Sequence, residues 1–176
     1  FKKIKKNKKT LRFVFIPETI GAIAYLYKNL KKLKKNVIAG YNLTCIGDDR
    51  MHSCIFSKHE NSPSNKALKY AYKKLDIKPK IYNFLQRGSD ERQYNSPGID
   101  LPIATVCRSK FGEYPEYHTS DDNFTLVTKS GLQGGYEVVK NSIKFLMEQD
   151  YPKSTFLCEP FLSKRNLYPT LSLRKE

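Results

Sequence analysis

Short apolar runs rich in β-branched and aromatic residues alternate along this chain with longer stretches of helical period, and that alternation restricts the fold more than any other feature. LRFVFI (Leu11–Ile16), bounded by charge and by Pro17, reads as a buried strand. The stretch after it, ETIGAIAYLYKNLKKLKK, places Ile20, Ile23, Ala24, Tyr27, Leu30 and Leu33 on one face at the 3.6-residue period, so it predicts a helix. VIAGYNLTCIG (Val37–Gly47) and HSCIF (His52–Phe56) are strand-like. SPSNKALKYAYKKL is helical, with Ser62 or Ser64 as its cap and a stripe of Ala67, Leu68, Ala71, Tyr72 and Leu75. KIYNFL and LPIATVC are further strands, and GLQGGYEVVKNSIKFLMEQ is the last long amphipathic helix. The order β-α-β-β-α-β-β-α predicts an α/β domain, a mostly parallel sheet with helices on both faces.

Charge is distributed unevenly. The chain carries 32 Lys and Arg against 17 Asp and Glu, a net +15, and residues 1–35 hold twelve of the bases but only one acid, Glu18. Phosphate neutralisation by such residues drives non-specific nucleic-acid binding. Here the excess is mostly Lys, Arg forks for bidentate contacts are few, and no RRM, KH, zinc-finger or basic-zipper spacing occurs. The lysines flank apolar runs, as solvated helix faces do, so nucleic acid is not the expected partner. No run of about 18 uncharged apolar residues predicts a membrane span, and no apolar signal-peptide core follows the first lysines. Cys45, Cys54, Cys107 and Cys158 lie far apart without a CxxC pair and read as free thiols, mostly buried, in a reducing, cytoplasmic setting.

In an open α/β sheet, ligands bind outside the carboxyl ends of the strands. Three polar segments fall there: IGDDRMHS, LQRGSDERQYNSPGIDLP and GEYPEYHTSDDN. Of the three histidines, His59 lies in a polar turn and His52 at a strand start. His118 sits in YHTSDDN beside Asp121 and Asp122, which suits a metal ligand, an acid/base residue or a histidine bonded within its own turn. Glu18, the only acid in the first 47 residues, falls at a strand-to-helix junction. It suits either catalysis or a first-turn carboxylate favoured by the helix dipole. Asp90, Glu91 and Arg92 suit a site or a salt-bridged loop. GLQGG opens a helix and is not a dinucleotide-binding GxGxxG.

Taken in order, FVFIPETIGAIAYL, AGYNLTCIG, GSDERQYNSPGIDLPIAT and EYHTSDDN resemble the C-terminal part of the zinc-dependent aminopeptidase family typified by the bacterial leucyl aminopeptidases. The resemblance runs over residues 11–147. RGSDERQYNSPGIDLP and CEPFLSKRNLYPTLS are similar to a bacterial subgroup, the aminopeptidase-like proteins found with polysaccharide or surface-glycan biosynthesis genes. The resemblance implies a three-layer zinc-exopeptidase-like fold over residues 1–150. Residues 151–176 would form a tail leading toward a winged-helix segment. It also implies that Glu18 is the general base and His118 a zinc ligand. Asp90, Glu91, Arg92 and Tyr94 would then anchor His118 or contact substrate.

The sequence departs from the family pattern at three positions. Thr19 stands where the family has a second glutamate, Thr44 where it has a zinc-binding aspartate, and Glu91 where it has a histidine. A single zinc is therefore expected, with its other ligands in an upstream segment that would precede Phe1, so the chain alone is expected to be inactive. The implied substrate is a peptide or an amide-bearing small molecule, and homo-oligomers are allowed. The competing expectation is a non-catalytic aminopeptidase-like domain that uses its cleft to bind a ligand or partner.

Overall fold

The computed structural model describes residues 9–149, 157–158 and 161–167. Four of the five predicted strands pair: β1 (Gly40–Leu43), β2 (Ser53–Ile55), β3 (Lys80–Tyr82) and β4 (Ile103–Cys107). They form one open sheet in the order β1-β4-β2-β3. β1 runs parallel to β4 and β2 parallel to β3, while β2 and β4 are antiparallel. The sheet is thus mixed, as expected for α/β layering, and its one antiparallel seam lies at the centre.

Helices cover both faces. α2 (Pro63–Lys74) starts at Ser62, whose hydroxyl accepts the Asn65 N–H, with Pro63 pre-set for the first turn. It packs against α4 (Lys129–Glu148) across a stacked Tyr70–Phe145 pair with ring centroids 4.5 Å apart. Beneath them Cys54, Ala104 and Val106 join Leu68, Tyr72 and Val138 in the main core. Burial pushes the Cys54 thiol up to about 12, so it behaves as a small apolar side chain. Neighbouring β4 residues alternate: Ile103 turns to the other face, where Leu26 and Leu33 of α1 (Ile20–Asn36) meet Leu101 and Tyr94. A short α3 (Glu91–Tyr94) sits beside α1.

The glycines of GLQGG serve close packing. A Cβ on Gly131 would lie 1.9 Å from the Gly47 carbonyl oxygen, so only glycine lets α4 begin against the turn after β1. Thr128 caps this helix by accepting the Gly131 N–H.

Two expectations are corrected. Leu11–Ile16 is not a buried strand: no strand spans it, and Phe13 and Phe15 are 64% and 92% exposed. Its apolar content is strand-like, but none of the described strands pairs with it. The buried side of α1 is also rotated from the predicted stripe. Ala22, Leu26 and Leu33 are buried, whereas Ile20, Ile23 and Tyr27 are exposed. Apolar residues occupy two sides of this helix, and periodicity alone does not say which side meets the sheet. Among the described residues no helix is long and apolar enough to cross a membrane. The tail expected over residues 151–176 lies largely outside the described residues; within it Leu162–Arg165 form a short 3-10 turn.

Substitutions on α1 distinguish its two sides. Leu26→Ala is expected to cost about 2–5 kcal/mol in urea unfolding, while Ile23→Lys changes stability by about 0.5 kcal/mol or less.

Candidate functional site

Of the polar segments expected at the strand ends, the one containing Ser89–Tyr94 packs beside α1, and Glu91 is its buried centre. Its side chain is fully buried. Oε1 accepts the N–H groups of Gly88 (2.7 Å) and Ser89 (3.1 Å), and Oε2 accepts Thr105 Oγ1 (2.8 Å) and Asn42 Nδ2 (3.2 Å). Asn42 and Thr105 are register partners on parallel β1 and β4, so the pleat presents both donors to one oxygen. A buried carboxylate is tolerated when its lone pairs are filled in this way. Glu91 thereby ties the two strands to the loop that carries Ser89 and Asp90. One turn on, Asn95 Nδ2 donates to the carbonyls of Glu91 and Ile103, fixing α3 to the start of β4.

Ser89, held through its N–H, donates its hydroxyl to Glu18 Oε1 at 2.6 Å. Next to it the buried Asp90 accepts the Thr19 N–H at 2.7 Å, and Arg92 Nη2 donates to Thr19 Oγ1 at 3.1 Å. Burial is the main cause raising the Asp90 carboxyl above its usual range. The Thr19 N–H opposes this, while the Glu18 and Glu91 charges add to it. Three of the residues singled out in the sequence, Glu18, Asp90 and Arg92, are thus brought together around Thr19. Tyr94, also singled out, is half-buried in the α1 core beside Leu26 and Leu101, and burial pushes its phenol up to about 12.

His118 lies on the loop after β4 and packs on Tyr117. The two rings stack with centroids 3.9 Å apart and planes 20° from parallel. The Tyr117 phenol is raised chiefly by burial, with smaller contributions from the charges of Cys45 and Glu18. His118 itself is exposed and takes a left-handed backbone, φ 60°. Tyr114, on the same loop, donates to Cys45 Sγ at 3.4 Å and to Asp122 Oδ2 at 3.3 Å. Beside the loop lies an open groove of about 430 Å³ lined by Asp49, Arg50, Glu116, Asp121 and Asn123, and it does not include Glu18 or His118.

A buried bracket anchors the loop. Asp48 accepts the N–H and hydroxyl of Ser109 and the N–H of Arg50. Arg108 donates Nε to the Asp48 carbonyl at 2.7 Å and Nη1 to the His52 ring. Burial first, and the Arg108 charge second, hold the His52 imidazole down to about 4. His52 is therefore a neutral acceptor, while His59 and His118 are exposed. Among the described residues, no group of three or more His, Cys, Asp or Glu side chains could hold a metal ion. Their donor set therefore does not fit a zinc ion.

Ser89, Tyr117, Asn42 and Thr105 were not singled out in the sequence, and Thr19 only as standing where the family has a second glutamate. Ser89 and Tyr117 flank residues that were, but the roles of Asn42 and Thr105 come from strand register, which no local pattern reveals.

The α/β layers and this loop arrangement define an aminopeptidase-like fold. A zinc aminopeptidase from Bacillus subtilis superposes with a TM-score of 0.61 at 17% identity, over 76% of this chain and 34% of that one. A crystal structure of a candidate peptidase from Clostridium acetobutylicum superposes with a TM-score of 0.72 at 35% identity, over 85% of this chain and 35% of that one. In sequence, the chain is 36% identical over 165 residues to a Clostridium acetobutylicum protein named as a candidate polysaccharide biosynthesis protein with an aminopeptidase-like domain. That match covers 93% of this chain and 37% of the relative. The family model "Domain of unknown function (DUF4910)" matches residues 1–150, and the chain belongs to that family. It spans little more than a third of the length of these Clostridium relatives.

Two outcomes test the site's frame. Glu91→Ala leaves several buried donors unpaired and is expected to cost at least about 2–3 kcal/mol, against about 1 kcal/mol for Thr105→Val, by denaturant unfolding. His52 takes up its proton at about pH 4 in the folded chain, below the ordinary value of 6.5. The stability tied to the neutral ring is thus fully present above pH 6.5 and lost as pH falls toward 4. His52→Gln should flatten that part of the stability–pH curve, measured as the difference from the parent chain.

Proposed function

We propose that this chain forms part of an aminopeptidase-like hydrolase domain acting on a peptide or an amide-bearing small substrate, with Glu18 as its proton-transferring carboxylate. The observation that carries this reading is the placement of Glu18. Its side chain is exposed to solvent, and its carboxylate accepts a hydrogen bond from Ser89, whose own N–H is held by the buried Glu91. A carboxylate in that position can take a proton from an attacking water and return it to a leaving amine, while a single donor such as Ser89 holds its orientation. Arg92, which donates to the hydroxyl of the adjacent Thr19, would contact the substrate. In this reading His118 would contribute one ligand to a zinc ion whose other ligands the described residues do not supply. The name of the Clostridium relative supports a link to surface polysaccharide or glycan biosynthesis.

A second reading, an aminopeptidase-like domain that binds a ligand or partner without hydrolysis, is favoured by the lack of a three-donor metal cluster among the described residues. Zinc analysis and amide-hydrolysis assays separate the two. They are made on this chain and on a form joined to segments completing the relatives' length. The hydrolase reading expects about one zinc and measurable turnover in the longer form, with Glu18→Gln lowering kcat by about 10²–10⁴-fold. No zinc and no turnover in either form would establish the binding reading.

A further inference from the structure

Thr19 has φ 60° and ψ −69°, and the Ile20 N–H donates to the Glu18 carbonyl at 2.7 Å. That is a γ-turn of the rare, strained hand. A β-branched residue with positive φ is a true outlier, and it persists only where its surroundings over-determine it. Three contacts do so here. Asp90 Oδ1 accepts the Thr19 N–H, Arg92 Nη2 holds the Thr19 hydroxyl, and Gly21 lets Ile16 and Pro17 fold onto the first turn of α1. A Cβ on Gly21 would stand 2.8 Å from the Ile16 Cβ.

The turn is the backbone on which Glu18 stands, and Asp90 is 8% exposed and directly follows Ser89, which holds the Glu18 carboxylate. We propose that Asp90 is a positioning residue: it clamps the strained Thr19 turn and thereby fixes the direction in which Glu18 is presented. This rests on the reading of Glu18 as the proton-transferring group. Asp90 exchanges no proton with substrate in this role. It needs only an acceptor oxygen at Oδ1, which distinguishes it from a residue whose charge or bulk alone matters.

The test compares Asp90→Asn, which keeps the acceptor, with Asp90→Ala, which removes it. Backbone NMR shifts of Thr19 report the sign of φ in the full chain. The expected result is positive φ in the parent and in Asp90→Asn, with loss of the left-handed signature in Asp90→Ala. In the longer form, kcat should fall about 10²-fold in Asp90→Ala with KM little changed, and recover in Asp90→Asn. Retention of positive φ in Asp90→Ala would overturn the clamp whatever the activity. Loss of the turn with kcat unchanged in an active enzyme would overturn the positioning role. An inactive parent enzyme with the turn lost in Asp90→Ala would support the clamp and overturn only the catalytic role of Glu18. If Asp90→Ala does not fold, Thr19→Val, which removes only the Arg92 contact, keeps the turn if Asp90 is the main clamp and loses it if not.

Discussion

The carboxylate of Glu91 is the interaction on which the site depends. It has four hydrogen-bond donors from three separate pieces of chain: β1, β4 and the loop at Gly88–Ser89. A buried charge is costly unless its lone pairs are filled, so the register of β1 on β4 and the path of the loop are mutually constrained. Shifting that register by one residue would turn Asn42 and Thr105 to the opposite face. The Ser89 contact to Glu18 and the Asp90 contact to Thr19 are both suspended from this point, since Ser89 and Asp90 directly precede Glu91 in the chain.

The resemblance to the zinc aminopeptidases implies that Glu91 anchors His118 or contacts substrate. The structure gives its carboxylate a different task. Turned inward, Glu91 links strands, while its neighbours Ser89, Asp90 and Arg92 turn toward Glu18 and Thr19. One short segment thus carries both frame and functional contacts, and the alternation follows from the tight turn into α3.

Much of this was legible in the sequence because the signals were local. Apolar runs gave β1 to β4, the Ser62 and Pro63 pair gave the start of α2, and the GLQGG segment was recognised as a helix start. What could not be read was relational. The side of α1 that is buried depends on where Leu101 and Ile103 lie, and Leu11–Ile16 has strand composition without a described strand to pair with. The Thr19 turn was hidden for a different reason: threonine carries no sequence signal for positive φ, a conformation usually marked by Gly or Asn. Glu18 and His118 are singled out by motif and order, whereas the stacking of Tyr117 on His118 and the Ser89 bond to Glu18 come only from three-dimensional placement.

The turn after β1 has a consequence for how this architecture can diversify. Asp48 grips Ser109 where β4 gives way to the loop bearing His118, and one residue to either side of it Gly47 and Asp49 receive Thr128 where that loop ends. Both ends of an eighteen-residue excursion, 110–127, are therefore fastened to the same three consecutive residues. Because closing such a loop costs little more when it lengthens, this footing would seat a longer or shorter span on the same sheet. The interior adds its own points of attachment, Glu113 to Lys80 of β3 and Glu116 to Arg50, so the loop is pinned at its base and braced along its length.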